Sequence, residues 1–295
     1  MNNSFKIGIV AGLVAGFVSA IYTIFIHVPL VYELGAQHWF LPPPPETPFM
    51  KIAINEIING LIWGAIVGLI YAWVYRVIPG KGVSKGLVYG LFYYLITNVY
   101  WVTYFLIYWY PPTMISNLIR LPMWIIFGIV LGSLNEFLRG KYYVKKEPKV
   151  VQYSMMSGFQ PGVIAGFVSA VSTFFTVLFI ELTAIGVIEP VHLMEIELDL
   201  SFILSQLGSQ TMWHMWWGIF LALIFPKVYN LVPGKGITKG LVYGLVANYL
   251  LIEVRSVTEA IGYGLFGIVV SFLIVGPIYA TIYGLILGYL YKPKK

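Results

Sequence analysis

The chain has 295 residues, of which 59% are hydrophobic and only 10% charged, and its mean hydropathy is +0.83. An average soluble domain carries roughly 25% charged residues, so this composition excludes an ordinary soluble protein and points to several membrane crossings. The formal charge of +6 sits in short clusters beside apolar runs, which argues against nucleic acid as a partner, and the absence of cysteine excludes disulfides, thiolate metal sites and thiol nucleophiles.

The first apolar run, from about Lys6 to Tyr32, opens like a secretory signal with small residues at Val18, Ser19 and Ala20. It is longer than a signal core, and its string AGFVSA at 15–20 returns at 165–170, so it reads as a repeated membrane helix. The following stretch 35–50 holds four consecutive prolines, which remove backbone donors and forbid a helix. A second helix is predicted from about Ile54 to Val77, ending at Pro79-Gly80-Lys81-Gly82. The third runs from near Lys85 to Tyr108, where Pro111 and Pro112 stop it, and the fourth from about Ile115 to Leu138. A basic linker, 139–149, then separates two halves. The second half offers helices at about Pro161–Leu182, Leu207–Val228, Lys239–Ala260 and Leu265–Tyr291, with Glu189, Glu195, Glu197 and Asp199 in its first long loop. Each run has close to the ~20 residues needed to cross a bilayer.

Residues 79–91 read PGKGVSKGLVYGL and residues 233–245 read PGKGITKGLVYGL. Such a match argues for an internal duplication, which sets the architecture. The expected fold is an all-α polytopic membrane protein: eight transmembrane helices in two four-helix repeats, residues 1–149 and 150–295. All of the 18 lysines and arginines except Lys51, Arg120 and Arg255 fall on one side of this arrangement. The positive-inside rule makes that side cytoplasmic, so both termini are expected inside a cell membrane. An even number of helices per repeat makes the halves parallel rather than inverted. All of the 12 acids except Glu136 and Glu147 fall in outer loops or outer parts of helices, giving an electronegative outer surface that attracts cations.

Glycines four apart recur at Gly8/Gly12/Gly16, Gly60/Gly64/Gly68 and Gly158/Gly162/Gly166, with pairs at Gly86/Gly90, Gly128/Gly132, Gly240/Gly244 and Gly284/Gly288. Lipid gives helices no hydrophobic reason to associate, so small residues that allow close backbone approach are expected to form the seams.

Ionisable and amide side chains inside spans are costly and become functional candidates. The predicted spans hold Glu253, Arg255, Glu259, Arg120, His214, Asn98, Asn248, Asn59 and Glu56, most of them toward the outer side. Arg255 and Glu259 share a helix face and can pair, whereas Glu253 needs another partner, for which Arg120 is the expectation. Lys81, Lys85, Lys235 and Lys239 of the repeated turns are candidates for anionic lipid headgroups. That turn lacks the spacing of a phosphate-binding loop, and no HExxH or GxSxG string occurs. No metal site, cofactor or catalytic set is therefore expected, and enzymatic function is disfavoured. The sequence favours a transporter or channel for a small solute or cation with an acidic outer vestibule. The alternative is a non-catalytic subunit or scaffold of a membrane complex, with a homo-oligomer or another membrane protein as partner.

Overall fold

The computed structural model describes residues 3–33, 48–108, 111–142, 153–183, 200–253, 257, 261 and 266–293, and every regular element among them is helical. Helix α1 (Asn3–Tyr22) continues through a π turn (Thr23–His27) into α2 (Val28–Glu33). Helix α3 (Phe49–Val74) leads through the first glycine turn to α4 (Val83–Tyr108), and α5 (Pro111–Lys141) follows. The second half brings α6 (Phe159–Thr183), α7 (Leu200–Val228), α8 (Ile237–Tyr243), a π segment (Gly244–Glu253) and α9 (Phe266–Leu290). The proline pair at 111–112 begins α5, since the first turn of a helix has no use for the missing N–H groups. The helix expected over 239–260 changes from α to π at Gly244.

Among the described residues, five stretches are long and apolar enough to span a bilayer: Asn3–Val31, Phe49–Val74, Asn117–Lys141, Met155–Thr176 and Leu273–Leu290. Shorter apolar helices occupy His214–Val228 and Ile237–Ala247. These are the elements of a multi-pass membrane protein.

The described residues fall into two compact units, those of Met1–Val151 with Val254–Gly264 and those of Gln152–Glu253 with Leu265–Lys295. In the first, α1 packs along α3, α4 along α5, and α1 also along α5. Helices α1 and α3 run antiparallel with their backbones in contact: Gly8 meets Gly68, Gly12 meets Gly64 and Gly16 meets Gly60. A Cβ on Gly60 would stand 2.6 Å from the Gly16 carbonyl oxygen, and one on Gly128 2.6 Å from that of Gly86. No side chain fits there. Around these seams lies an aromatic core of Trp63, Tyr93, Trp124 and Phe127, in which Trp63 Nε1–H donates to the Tyr93 hydroxyl at 2.9 Å.

In the second unit α6 packs on α7 and α9, and α8 with its π extension on α9. A Cβ on Gly284 would stand 2.6 Å from the Gly240 carbonyl oxygen, and one on Gly162 2.9 Å from that of Gly218. Phe225 sits among Tyr229, Tyr243 and Tyr291.

Gly64→Val drives a branched side chain into the α1 backbone and is expected to cost at least the ~1–3 kcal/mol of an overpacked core. Gly140→Ala, where an added methyl meets nothing within 4 Å, is expected to be neutral or to stabilise by up to about 1 kcal/mol. Thermal melts of the detergent-solubilised protein measure both. Equal melting temperatures for the two variants would mean that α1 and α3 do not touch.

Candidate functional site

A polar group inside an apolar bundle has no water to turn to and must be satisfied by the protein. The described helices do this mostly through hydroxyls donating to the backbone. Tyr89 donates to the Val67 carbonyl at 3.2 Å, and Tyr243, at the matching place in the second half, to that of Leu221 at 2.7 Å. Tyr283 donates to the Gly218 carbonyl at 2.7 Å, Ser169 to Ala165 at 2.6 Å and Thr97 to Tyr93 at 2.9 Å. These bonds tie helices together or close on their own helix, and none leaves chemistry over.

In the first unit several polar side chains gather around one crevice. Ser19 and Thr23 from α1 and its π turn, Glu56, Asn59 and Trp63 from α3, and Met123 from α5 line a crevice with room for about one water molecule. Glycines make it possible, since Gly16 and Gly60 bring α1 and α3 into backbone contact at its inner edge. Glu56 is 7% exposed, Asn59 2% and Ser19 4%. Thr23 Oγ1 donates to the Ser19 carbonyl at 3.1 Å and lies 3.4 Å from Met123 Sδ. The Ser19 hydroxyl oxygen is buried with no hydrogen-bond partner. The π turn beginning at Thr23 carries its N–H to C=O bonds one residue further than an α-helix, as Val28 N–H to the Thr23 carbonyl illustrates. Single π turns of this kind recur at functional sites.

One helical turn beyond Thr23, Arg120 Nε donates to His27 Nε2 at 3.3 Å. An imidazole that accepts at Nε2 carries its proton on Nδ1. Arg120 thus has His27, on its own unit, as one partner, and the side chain of Glu253, the partner expected from the sequence, lies outside the described residues. Nearby, Tyr22 donates to the Ile119 carbonyl at 2.8 Å and Tyr94 to that of Asn117 at 3.2 Å.

The remaining sequence candidates divide clearly. Asn98 spends its amide N–H groups on its own helix, donating to the Tyr94 carbonyl at 2.8 Å and to Thr97 Oγ1 at 3.0 Å. His214, in the second unit, lays its ring 4.1 Å from that of Tyr279, whose hydroxyl reaches the His214 carbonyl at 3.5 Å. The sequence offset places His214 where the first half has Gly60, yet a Cβ on Gly166 would still stand 2.9 Å from the His214 carbonyl oxygen. The ring has simply turned to α9. Asn248 and Glu253 lie on the π segment with side chains outside the described residues, and Arg255 and Glu259 lie outside them altogether. The acidic loop with Glu189, Glu195, Glu197 and Asp199 is also outside them.

The repeated turns have a definite structure. Gly80 and Gly82 take φ of 94° and 49°, and Gly234 and Gly236 take 93° and 47°, a backbone region that favours glycine. Lys85 donates its ammonium to the Tyr75 carbonyl and sits 4.1 Å from the Tyr75 ring centroid. Lys239 donates to the Tyr229 and Val232 carbonyls and sits 4.6 Å from the Tyr229 ring. Two of the four lysines expected to meet headgroups therefore cap the carbonyls left over at the end of the preceding helix. Lys81 and Lys235 are exposed. Tyr75 also donates to Glu136 Oε2 at 2.9 Å under the Arg139 guanidinium. Burial, helped by Glu136, pushes its hydroxyl up to about 12, so it stays the donor at neutral pH.

The sequence singled out Glu56 and Asn59, and it missed Ser19 and Thr23. The signal available for them was the recurrence of both hydroxyls as Ser169 and Thr173 beside the repeated AGFVSA string. No protein-family model, curated protein or solved structure matches this chain.

Lys85→Met and Lys239→Met each remove charged hydrogen bonds to a helix end and are expected to cost about 1.5–3 kcal/mol. Lys81→Met and Lys235→Met are expected to stay within about 0.5 kcal/mol. Thermal or denaturant unfolding in detergent separates the pairs, and four equal effects would remove the capping role.

Proposed function

We propose that this chain is a cell-membrane transporter or channel for a small solute or cation. Its spans form two parallel four-helix repeats, residues 1–149 and 150–295, with both termini cytoplasmic. The charge bias supports the orientation, and the recurrence of the glycine turns, lysine caps and tyrosine bonds supports the duplication. The observation that carries the functional reading is Glu56, a carboxylate buried among hydroxyl and amide side chains in a crevice between membrane helices. Ionisable groups at such positions are expensive to keep and mark solute or ion pathways. Glu56 lies about 27 Å from the inner end of α3 at 1.5 Å per residue, which is the outer part of the span. Acidic outer loops would concentrate cations at the outer surface. Exposed Lys81 and Lys235 at the opposite face suit contact with anionic headgroups.

Proteoliposomes containing the full chain are expected to release trapped sodium-22 or rubidium-86, or to swell with a small uncharged solute, faster than empty vesicles. Glu56→Gln is expected to slow the responding flux by about tenfold or more, a loss of ~1.4 kcal/mol or greater in barrier terms. No acceleration by the wild-type chain, or an unchanged rate in the variant, would overturn this reading.

A further inference from the structure

At the end of the first unit that carries the glycine turn, three charged side chains share one ring. The Arg139 guanidinium lies 4.0 Å from the Tyr75 ring centroid and the Lys85 ammonium 4.1 Å from it. The Tyr75 hydroxyl donates to Glu136 Oε2 at 2.9 Å. Two cations and one carboxylate leave this place positive, and exposed Lys81 and Lys141 at the ends of the same helices have the same sign.

The guanidinium is fixed twice. It lies over the Tyr75 ring, and its Nε–H donates to Asn135 Oδ1 at 2.7 Å. Asn135 is fully buried, and its Nδ2 has no hydrogen-bond partner. An amide buried with a donor unpaired costs stability that a leucine in its place would not. What the amide supplies in return is the fixed bearing of Arg139. With Nε engaged, the two Nη groups are left, and among the described residues they have no hydrogen-bond partner. A guanidinium pinned in this way with its Nη edge open is preorganised for two oxygens of one phosphate. Lys85 offers less, since its ammonium is turned to the Tyr75 carbonyl.

The surroundings favour a lipid as the source of that phosphate. Phe137, between Glu136 and Arg139 in sequence, is 65% exposed, and Tyr142 is half exposed. Bare rings beside the charged end of a membrane helix suit the headgroup layer. The excess positive charge selects an anionic headgroup over a zwitterionic one. The second unit offers a comparison, because Asn135 follows Gly128 by seven residues as Tyr291 follows Gly284 in the equivalent seam. There the Tyr291 ring lies 5.2 Å from that of Tyr229, and Lys239 caps the Tyr229 carbonyl. The lysine cap recurs, but the buried amide does not.

We infer that Arg139, held in place by Asn135 and Tyr75, binds the phosphate of one anionic phospholipid. This goes beyond the headgroup contacts of Lys81 and Lys235, and it requires no transport activity. Full-length protein in detergent is titrated with phosphatidylglycerol, phosphatidylcholine and inorganic phosphate. Native mass spectrometry counts the bound lipid, and melting temperature is followed in parallel. Phosphatidylglycerol is expected to fill one site per chain about tenfold or more tightly than phosphatidylcholine. Arg139→Lys, which keeps the charge and loses the fork, is expected to reduce that preference to about twofold or less. Asn135→Leu is expected to weaken phosphatidylglycerol by about fivefold while the melting temperature stays equal or rises. A lower melting temperature with lipid preference intact would make Asn135 purely structural and overturn its positioning role. Equal binding of the two lipids, or a preference kept in both variants, would overturn the inference as a whole. Displacement of the lipid by inorganic phosphate at equal concentration would assign the site to a free ion and overturn the lipid as its ligand. Lipid bound at Arg139 with no flux in proteoliposomes would sink the transport reading and leave this site standing.

Discussion

The structure depends on helix backbones that touch. Where Gly12 meets Gly64, or Gly86 meets Gly128, no side chain intervenes, and attraction comes from many short van der Waals contacts between main chains. Contact this close fixes the register of two helices far more tightly than interlocking leucines would, because any slip brings a Cβ against a carbonyl. Everything else in each unit inherits that register. The tyrosine hydroxyls that reach carbonyls on neighbouring helices arrive at bonding distance only because the seams hold the axes where they are.

The same constraint creates the crevice. Glycine at positions 16 and 60 brings α1 and α3 together, and one turn beyond on α3 and two on α1 the side chains grow to Glu56 and Thr23 while the axes stay at the spacing set by the seam. Polar groups are thus forced inward at a place where lipid could not have solvated them. In the second unit the corresponding position holds His214, whose ring leaves the seam for Tyr279. Two similar backbones therefore present different interiors.

Much of the helical layout was legible in the sequence. Long apolar runs bounded by proline and glycine located the described helices to within a few residues, and glycine spacing of four marked the faces that meet. Long-range pairing was not legible. Arg120 and His27 are 93 residues apart, and no spacing rule says which of several buried partners an arginine will take. The π turn at Thr23–His27 has no composition of its own, so the helix read as regular. Lys85 and Lys239 of the glycine turns also take a role that composition alone does not show. Basic residues near a membrane surface suggest lipid phosphates, but the nearest unsatisfied acceptors are the carbonyls ending the helix just before them.

That local reach has a consequence for how the chain is made. In the first glycine turn the bonds between Ser84 and Lys81 and from Lys85 to Tyr75 span 10 residues or fewer. In the second turn Lys239 likewise reaches back no more than 10 residues, to Tyr229 and Val232. Loops so short cost little entropy to close. A nascent chain can therefore close these bonds as soon as the lysine has been added, without waiting for any distant helix.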